Sequence, residues 1–384
     1  MRITTAHLYK INLPLQTPFI TSFGQMITKD FTLLVLNDED GYSGYGECSA
    51  FSFPFYTEEF RDSAYLLLKN TLIPMILNQE LTSPAELKDL FTSIRRNNMA
   101  KAAIDTAMWD LYAKRNHQSL AKSIGGNKKE ILAGISIGIQ PSPELLVTKV
   151  RQAVKAGYQR VKVKIKPGAD YQYLKSVRNE FPHLMLMADA NSAYRLRDID
   201  RLKRLDELNL LMIEQPLEAD DLLHHAQLQQ QLATPLCLDE SINSLADAQA
   251  MEQLGSGRII NIKISKVGGL TIAKKIQSFA QAHQIACWCG GMLGSGVARA
   301  VDIAAATLPG YTLPNDISAS QRYFAHDIIN PEIKLNDGKI NVPTIPGIGY
   351  ELNWSTIHRY SIEETSFGST ILSTDRFNIS ALFV

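Results

Sequence analysis

Several things a chain would need for work on nucleic acid, membranes or oxidised surroundings are missing from this sequence. Lys plus Arg and Asp plus Glu each number 39, so the formal charge is zero. No basic excess is left to neutralise phosphates, and a nucleic-acid partner is not expected. No apolar run approaches the ~20 residues a membrane span requires, so no membrane association is expected either. The opening MRITTAHLYKINLPL alternates rather than presenting the apolar core of a signal peptide, and a cytoplasmic location follows as an expectation. Cysteines are few: Cys48, Cys237, Cys287 and Cys289. They suit a reducing compartment. The single C-x-C pair lacks the neighbouring Cys or His cluster of a zinc site, and all four read as core thiols.

What is present divides in two. With 384 residues, 45% of them apolar, the chain can bury one large core and a smaller one. Residues 2–15 and 31–48 read as strands around a turn at Asp40-Gly41, where glycine supplies positive φ. From Thr57 to about Lys122 the spacing becomes helical; Ala103, Ala107, Met108 and Leu111 share one face. From about residue 132 short apolar strands alternate with amphipathic helical stretches. The strands are Ala133–Ile139, Arg160–Lys166, Leu184–Asp189, Leu210–Glu214, Pro235–Asp239, Arg258–Ile264, Ile285–Trp288 and Tyr311–Leu313. Eight units recurring at about 25 residues predict parallel strands closed into a barrel. A doubly wound open sheet is the alternative, and the lack of a Gly-x-Gly-x-x-Gly fingerprint counts against it. After about residue 325, strand and turn character returns and is expected to fold back on the N-terminal region, with the last twenty or so residues a polar appendage.

Barrel active sites lie at the C-terminal ends of the strands. The residues there are Lys164, Asp189, Glu214 and Asp239, each 25 positions from the next. One such acid could merely cap the following helix. Three in common register converge on one mouth, where they would repel each other and resist ionisation unless a cation joined them. An all-oxygen set points to Mg²⁺, with Mn²⁺ able to substitute. Asn191 and Glu240 sit beside the trio as expected partners of the ligands; helix capping is the other reading of Asn191. Lys162 and Lys164, two apart on one strand, share its barrel-facing side. Lys166 has the same parity and is expected to pass the barrel's end into solvent. A surface strand of alternating lysines would explain all three equally. Lys263 ends the sixth strand, across the circle.

This pattern suits removal of a proton next to a carboxylate, because a cation on that carboxylate stabilises the resulting enediolate. The base must be neutral, and Lys162 together with the cation would disfavour protonated Lys164. No histidine ends the seventh strand, where CWCGGM stands, which favours a lysine–lysine site. A barrel used only as a scaffold would show degraded ligands, whereas all three acids and both site lysines are present.

Many segments, in order and over nearly the whole chain, carry a resemblance. They are PFITSFG at 18–24, GYGEC at 44–48, GISIGI at 134–139, VKVKIKPG at 161–168, DANSAY at 189–194 and IEQPL at 213–217. The series continues with LDESI at 238–242, NIK at 261–263, VGG at 267–269, WCGGM at 288–292 and LPNDISAS at 313–320. The sequence resembles the muconate-lactonising branch of the enolase superfamily, and within it the o-succinylbenzoate synthase/N-succinylamino acid racemase group.

The resemblance implies an α/β fold: a modified (β/α)8 TIM-like barrel over about 126–324. An α+β capping domain would be built from about 1–125 and completed by about 325–384. It implies Asp189, Glu214 and Asp239 as metal ligands, Lys164 as general base, Lys162 as its pKa-lowering neighbour and Lys263 as the opposing lysine. Ser136, Gly290 and Met292 match pocket positions. Loops near 18–24, with Phe19, Ser22 and Phe23, and near 51–56 resemble those that close over a succinyl group; the aromatic run Phe51, Phe53, Phe55 and Tyr56 reads equally as a plug between domains. The implied activity is that of a carbon–oxygen lyase of menaquinone synthesis, a homo-oligomer acting on a small carboxylic acid, with racemisation, cycloisomerisation or dipeptide epimerisation as relatives. Racemising members commonly carry Pro-Gly-Arg after NIK, whereas Ile264-Ser265-Lys266 stands here, which weakens the case for racemase activity. The tail beyond about residue 360 exceeds the usual family end.

Overall fold

The structure, a computed structural model, describes residues 1–21 and 24–368. The predicted pocket residues Ser22 and Phe23, and the tail from 369 to 384, lie outside the described residues.

Two long strands open the chain, β1 (Ile3–Thr21) and β2 (Gly24–Asp38), paired antiparallel from Ile3↔Asp38 to Thr21↔Gly24. The hairpin is longer than the sequence pattern predicts, because pairing resumes after a register shift between Pro14 and Phe19 that accommodates Pro18, which has no N–H to donate. Its far end thereby carries Phe19 over the barrel mouth. The turn expected at Asp40-Gly41 is present: the Asp38 carboxylate accepts from the N–H of Asp40 (3.0 Å) and Tyr42 (2.9 Å), and Gly41 has φ of 84°. It leads into β3 (Ser43–Cys48).

The helix Asn98–Arg115 differs from its predicted one-sided pattern. Besides Ala103, Ala107, Met108 and Leu111, it buries Ile104, Asp105, Trp109 and Asp110. It is covered on both sides. Toward β3, Gly44 and Gly46 allow close approach: a Cβ on Gly46 would stand 1.9 Å from the Ala103 carbonyl oxygen, and one on Gly44 2.1 Å from that of Ala107. Toward the barrel, Trp109 Nε1 donates to Thr271 Oγ1 (2.9 Å), and the Asp105 carboxylate accepts from the Thr271 N–H (3.2 Å) at the start of the helix Leu270–Ala282.

After β4 (Glu130–Leu132), the barrel strands are β5 (Gly134–Ile137), β6 (Arg160–Lys164), β7 (Met185–Asp189), β8 (Ile213–Glu214), β9 (Leu236–Leu238), β10 (Ile259–Ile262) and β11 (Ala286–Cys289). They form a seven-stranded sheet in chain order, every neighbouring pair parallel, with helices such as Pro143–Lys155 and Tyr171–Glu180 between them. Each lies within or beside the segment read from the sequence. The eighth does not form as a strand. Instead residues 311–316 bridge both edges, by Cys287↔Tyr311 on one side and Ala133↔Asn315 on the other. Thr312 N–H reaches the Cys287 carbonyl at 3.1 Å and Asp316 N–H that of Cys289 at 2.8 Å. Pro314 cannot donate to a ladder, so the seam closes by bridges alone.

Beyond the barrel, β12 (Ile329–Asn330) pairs with β14 (Glu351–Leu352), and β13 (Lys339–Asn341) returns to β4. The polar appendage expected of the last twenty or so residues falls mainly on 369–384, outside the described residues, whereas the segment β15 (Ser361–Phe367) joins β1 antiparallel, Ala6↔Phe367 to Ile11↔Ser361, and completes the four-stranded sheet β15-β1-β2-β3. Its polar look is the alternation of an edge strand whose outer face meets water. All four cysteines are buried and unbridged. Among the described residues, no helix is long and apolar enough to cross a membrane.

Candidate active site at the mouth of the barrel

Strand register brings the charges together. Lys164 is the ladder partner of Asp189, and Asp189 of Glu214. Glu214 pairs with Cys237, and Asp239, two residues on, points to the same side by strand alternation. Lys263 follows the end of β10, across the ring from β6. Asp189, Glu214 and Asp239 are at most 1% exposed.

Ammonium groups stand between these carboxylates. Lys164 Nζ lies 2.6 Å from Asp189 Oδ2 and Lys263 Nζ 2.6 Å from Asp239 Oδ2. Lys162 Nζ reaches three acids at once: Asp189 Oδ2 at 3.1 Å, Glu214 Oε2 at 3.2 Å and Asp316 Oδ2 at 3.1 Å. Below it the Trp288 ring supports the ammonium at 5.0 Å from the centroid and the buried Arg160 guanidinium at 4.8 Å. Lys166 is exposed, as its position past the strand end predicts.

The electrostatics follow from burial and neighbours. Burial and then Asp189 push the Glu214 carboxyl up to about 8. Burial and the Asp239 charge push Glu240 up to about 7. Burial works against the charged forms of Lys162 and Asp189 as well. Even so, Glu214, Asp316 and Asp189 hold Lys162 well above the ordinary ammonium range, while Lys164 and Lys162 hold Asp189 below the ordinary carboxylate range. Lys162 is therefore a fixed positive charge beside Lys164.

Other residues keep the acids in place. Asn191, at a positive φ of 41°, accepts from Lys164 and donates to Glu240 Oε1 (2.8 Å), so it links two site residues instead of capping a helix. Gln215 Oε1 accepts from the N–H of Asp239 (3.0 Å) and Ser241 (3.3 Å). Asn261 Nδ2 donates to Glu214 Oε1 at 2.7 Å. Tyr56, from the cap, donates to both Asp239 oxygens at 3.0 Å and accepts from Lys263 Nζ at 2.6 Å. Gln215, Asn261 and Asp316 were not singled out from sequence. Asn261 had a usable signal, since it shares the parity of Lys263 in NIK.

A cavity of about 80 Å³ opens above Lys162, Lys164 and Lys263, lined also by Phe19, Phe51, Phe55, Tyr56, Ser136 and Met292. Gly290 is not on its wall. Its α-carbon packs against Asn261, whose Oδ1 a Cβ would meet at 2.1 Å, so this glycine makes room for the side chain that holds Glu214. Gly291 lines the cavity in its stead. A larger cleft of about 720 Å³ runs between the cap helices and the loops after β8 to β10, but none of the three acids borders it; volume alone does not locate the chemistry.

Among the described residues, no three His, Cys, Asp and Glu side chains are closed into a ready-made cation cage. The residues nonetheless fit a divalent cation in kind. The donor set is all oxygen, the buried Glu214 Oε2 accepts no hydrogen bond and has the Lys162 ammonium beside it at 3.2 Å, and the charge now standing between the carboxylates is supplied by lysines. A cation there would reverse the upward push on Glu214.

A barrel with acids on consecutive strands, lysines on either side and a cap reaching over its mouth defines a class of enzyme. Residues 3–125 match the N-terminal domain of mandelate racemase/muconate lactonizing enzyme, and residues 145–356 match the enolase C-terminal domain-like family. The chain belongs to the enolase superfamily, in its o-succinylbenzoate synthase/N-succinylamino acid racemase group. It is 51% identical to an o-succinylbenzoate synthase of Geobacillus kaustophilus over 354 residues, covering 92% of this chain and 94% of that one. It is 42% identical to an N-succinylamino acid racemase of Thermus thermophilus, covering 94% and 98%. The solved structure of an enolase superfamily member from Listeria innocua matches with a TM-score of 0.94 at 45% identity, covering 96% of this chain and all of that one.

Proposed function

We propose that the protein is an o-succinylbenzoate synthase, dehydrating 2-succinyl-6-hydroxy-2,4-cyclohexadiene-1-carboxylate to o-succinylbenzoate in menaquinone synthesis. The observation that carries this reading is the placement of Lys164 and Lys263 on opposite sides of three buried acids under a small, partly aromatic cavity, in a chain about half identical to proteins of that name. Asp189, Glu214 and Asp239 would hold Mg²⁺, or Mn²⁺ in its place, which supplies stabilisation of negative charge on the substrate carboxylate. Lys164 takes the proton next to that carboxylate and returns it to the departing hydroxyl on the same face. Lys162 keeps a fixed positive charge beside Lys164. Lys263, on the other face, stays cationic near the developing charge. Asn191 and Glu240 orient Lys164 from behind. Phe19, Ser136 and Met292 shape the pocket for a small carboxylic acid. Residues 1–125 with the C-terminal segment act as the cap, and 126–324 as the catalytic barrel.

A second reading, racemisation of N-succinylamino acids, is favoured by the relative at 42% identity. The two ask different things of the lysines, because racemisation needs both to change protonation state whereas elimination needs one. Purified protein is assayed for dehydration and, in D₂O, for α-proton exchange of each N-succinylamino acid enantiomer. Lys164→Ala should lower dehydration roughly 10²–10⁴-fold. Lys263→Arg keeps a charge that cannot cycle its proton and should retain more synthase than racemase activity. Substantial dehydration by Lys164→Ala but not by Lys263→Ala would reverse the two roles.

A further inference from the structure

Asp316 belongs to no barrel strand, yet its backbone is fixed at the mouth from several sides. Its N–H is held by the Cys289 carbonyl at 2.8 Å. The preceding Asn315 accepts from Cys289 N–H (2.8 Å) through Oδ1, and the Pro314 carbonyl accepts from Arg160 Nε at 3.1 Å. Gly291 is required beside it, because a Cβ there would stand 2.7 Å from the Asp316 carbonyl oxygen. The segment that closes the barrel therefore presents one carboxylate at a fixed place, and that carboxylate lies 3.1 Å from Lys162 Nζ.

Lys162 is almost wholly buried and shares its charge among Asp189, Glu214 and Asp316 at nearly equal distances. Two of these three are the carboxylates read above as cation ligands. A divalent ion bound there takes their lone pairs and repels the ammonium. Lys162 cannot follow its charge into water from that depth, and an ammonium left buried without a partner is strongly penalised. Of the three acids now paired with it, Asp316 alone stays available.

We propose that Asp316 is a positioning residue that takes over Lys162 when a divalent cation occupies Asp189 and Glu214. Metal loading is then an exchange of partners in which the ammonium moves from three acids onto one, and Asp316 sets how easily the cation displaces it. The inference rests on the reading of those acids as cation ligands. It differs from an orienting role for a ligand, because Asp316 touches the group the metal must displace and not the metal's own carboxylates.

The test is Mg²⁺ binding by isothermal calorimetry without substrate, with circular dichroism and thermal unfolding as checks on the fold. Asp316→Asn should weaken Mg²⁺ binding roughly 10–100-fold, the range seen when residues behind a metal site are removed. Asp316→Glu should recover part of the loss. The decisive variant is the double one, Lys162→Met with Asp316→Asn: with no ammonium to displace, affinity should return to at least the parent value. A structural role would leave the double variant as weak as the single one, and that result overturns the inference. Unchanged affinity in Asp316→Asn overturns it as well. Failure of the parent itself to bind Mg²⁺ would remove the cation reading and this inference together, whereas parent binding that ignores Asp316 removes this inference alone.

Discussion

The barrel mouth and the seam along the cap helix Asn98–Arg115 both bury carboxylates, and they satisfy them by opposite means. In the seam, Asp110 accepts from the backbone N–H of Tyr45 (2.9 Å) and Ile348 (2.7 Å) as well as from Lys114 (2.8 Å). Glu59 accepts from the N–H of Met99 (2.8 Å) and Ala100 (3.1 Å), at the start of the same helix. At the mouth, Asp189 and Asp239 are held chiefly by lysine and tyrosine side chains. A backbone N–H is fixed by the fold and cannot give way to a ligand. A lysine tip can move, and another cation can replace its charge. The acids of the seam are thus fastened chiefly by main chain, and the acids proposed for chemistry are lent to mobile cations.

The strongest test of this contrast separates activity from stability at the mouth. Asp189→Asn, Glu214→Gln and Asp239→Asn should each lower Mg²⁺-dependent turnover by at least about a thousandfold, since several kcal/mol of charge stabilisation are lost. Chelation should do the same to the parent. Glu214→Gln should leave the folded state as stable as the parent or more so, because it removes a buried acid that burial and Asp189 already hold up to about 8. Turnover and urea denaturation measured on the same preparations check both halves. A variant that unfolds yet keeps its turnover when folded would contradict the division.

Asp110→Ala should show the reverse. It strips acceptors from the buried Tyr45 and Ile348 N–H groups and leaves Lys114 without its acid, for a loss of roughly 3–5 kcal/mol. The rate of the folded fraction should not change. Denaturant midpoints and active-site titration measure the two quantities, and a fall in rate without a fall in midpoint would place Asp110 in the chemistry.

The same contrast explains what could be read from the sequence. The acids at 189, 214 and 239 were legible because their spacing equals the strand–helix repeat, so a one-dimensional period reports a shared place on the barrel. The barrel strands were legible for the same reason. Residues 311–313 were read as a strand from their apolar side chains, but closure there runs through scattered bridges on either side of Pro314. The contact of Tyr56 with Asp239 joins residues 183 apart in sequence, and no local pattern encodes it. The helix Asn98–Arg115 showed one apolar face, whereas its full burial depends on two glycines, Gly44 and Gly46, in a strand well before it in the chain.

The smallest effect expected concerns Asp105, which belongs to the seam but is less well satisfied than Asp110. It accepts from the Thr271 N–H at the start of the helix Leu270–Ala282, where the helix dipole favours a negative charge. Burial outweighs these hydrogen bonds and pushes its carboxyl up to about 7. A carboxyl raised on folding keeps its proton in the folded chain at pH values where the unfolded chain has lost it. Its contribution to stability is therefore complete below about pH 4, declines as pH rises toward 7 and is gone above that. Asp302 is pushed up to about 8 by burial and Glu47, and it adds to the same trend, so the informative quantity is the difference between parent and variant. Asp105→Asn keeps an acceptor for Thr271 and cannot ionise. The gap between variant and parent should move steadily in the variant's favour between pH 4 and 7.5, and then stay constant. Unfolding free energies across that range would decide it: parallel curves would mean that Asp105 is ionised throughout, its charge held by the Thr271 N–H and the helix dipole in spite of burial.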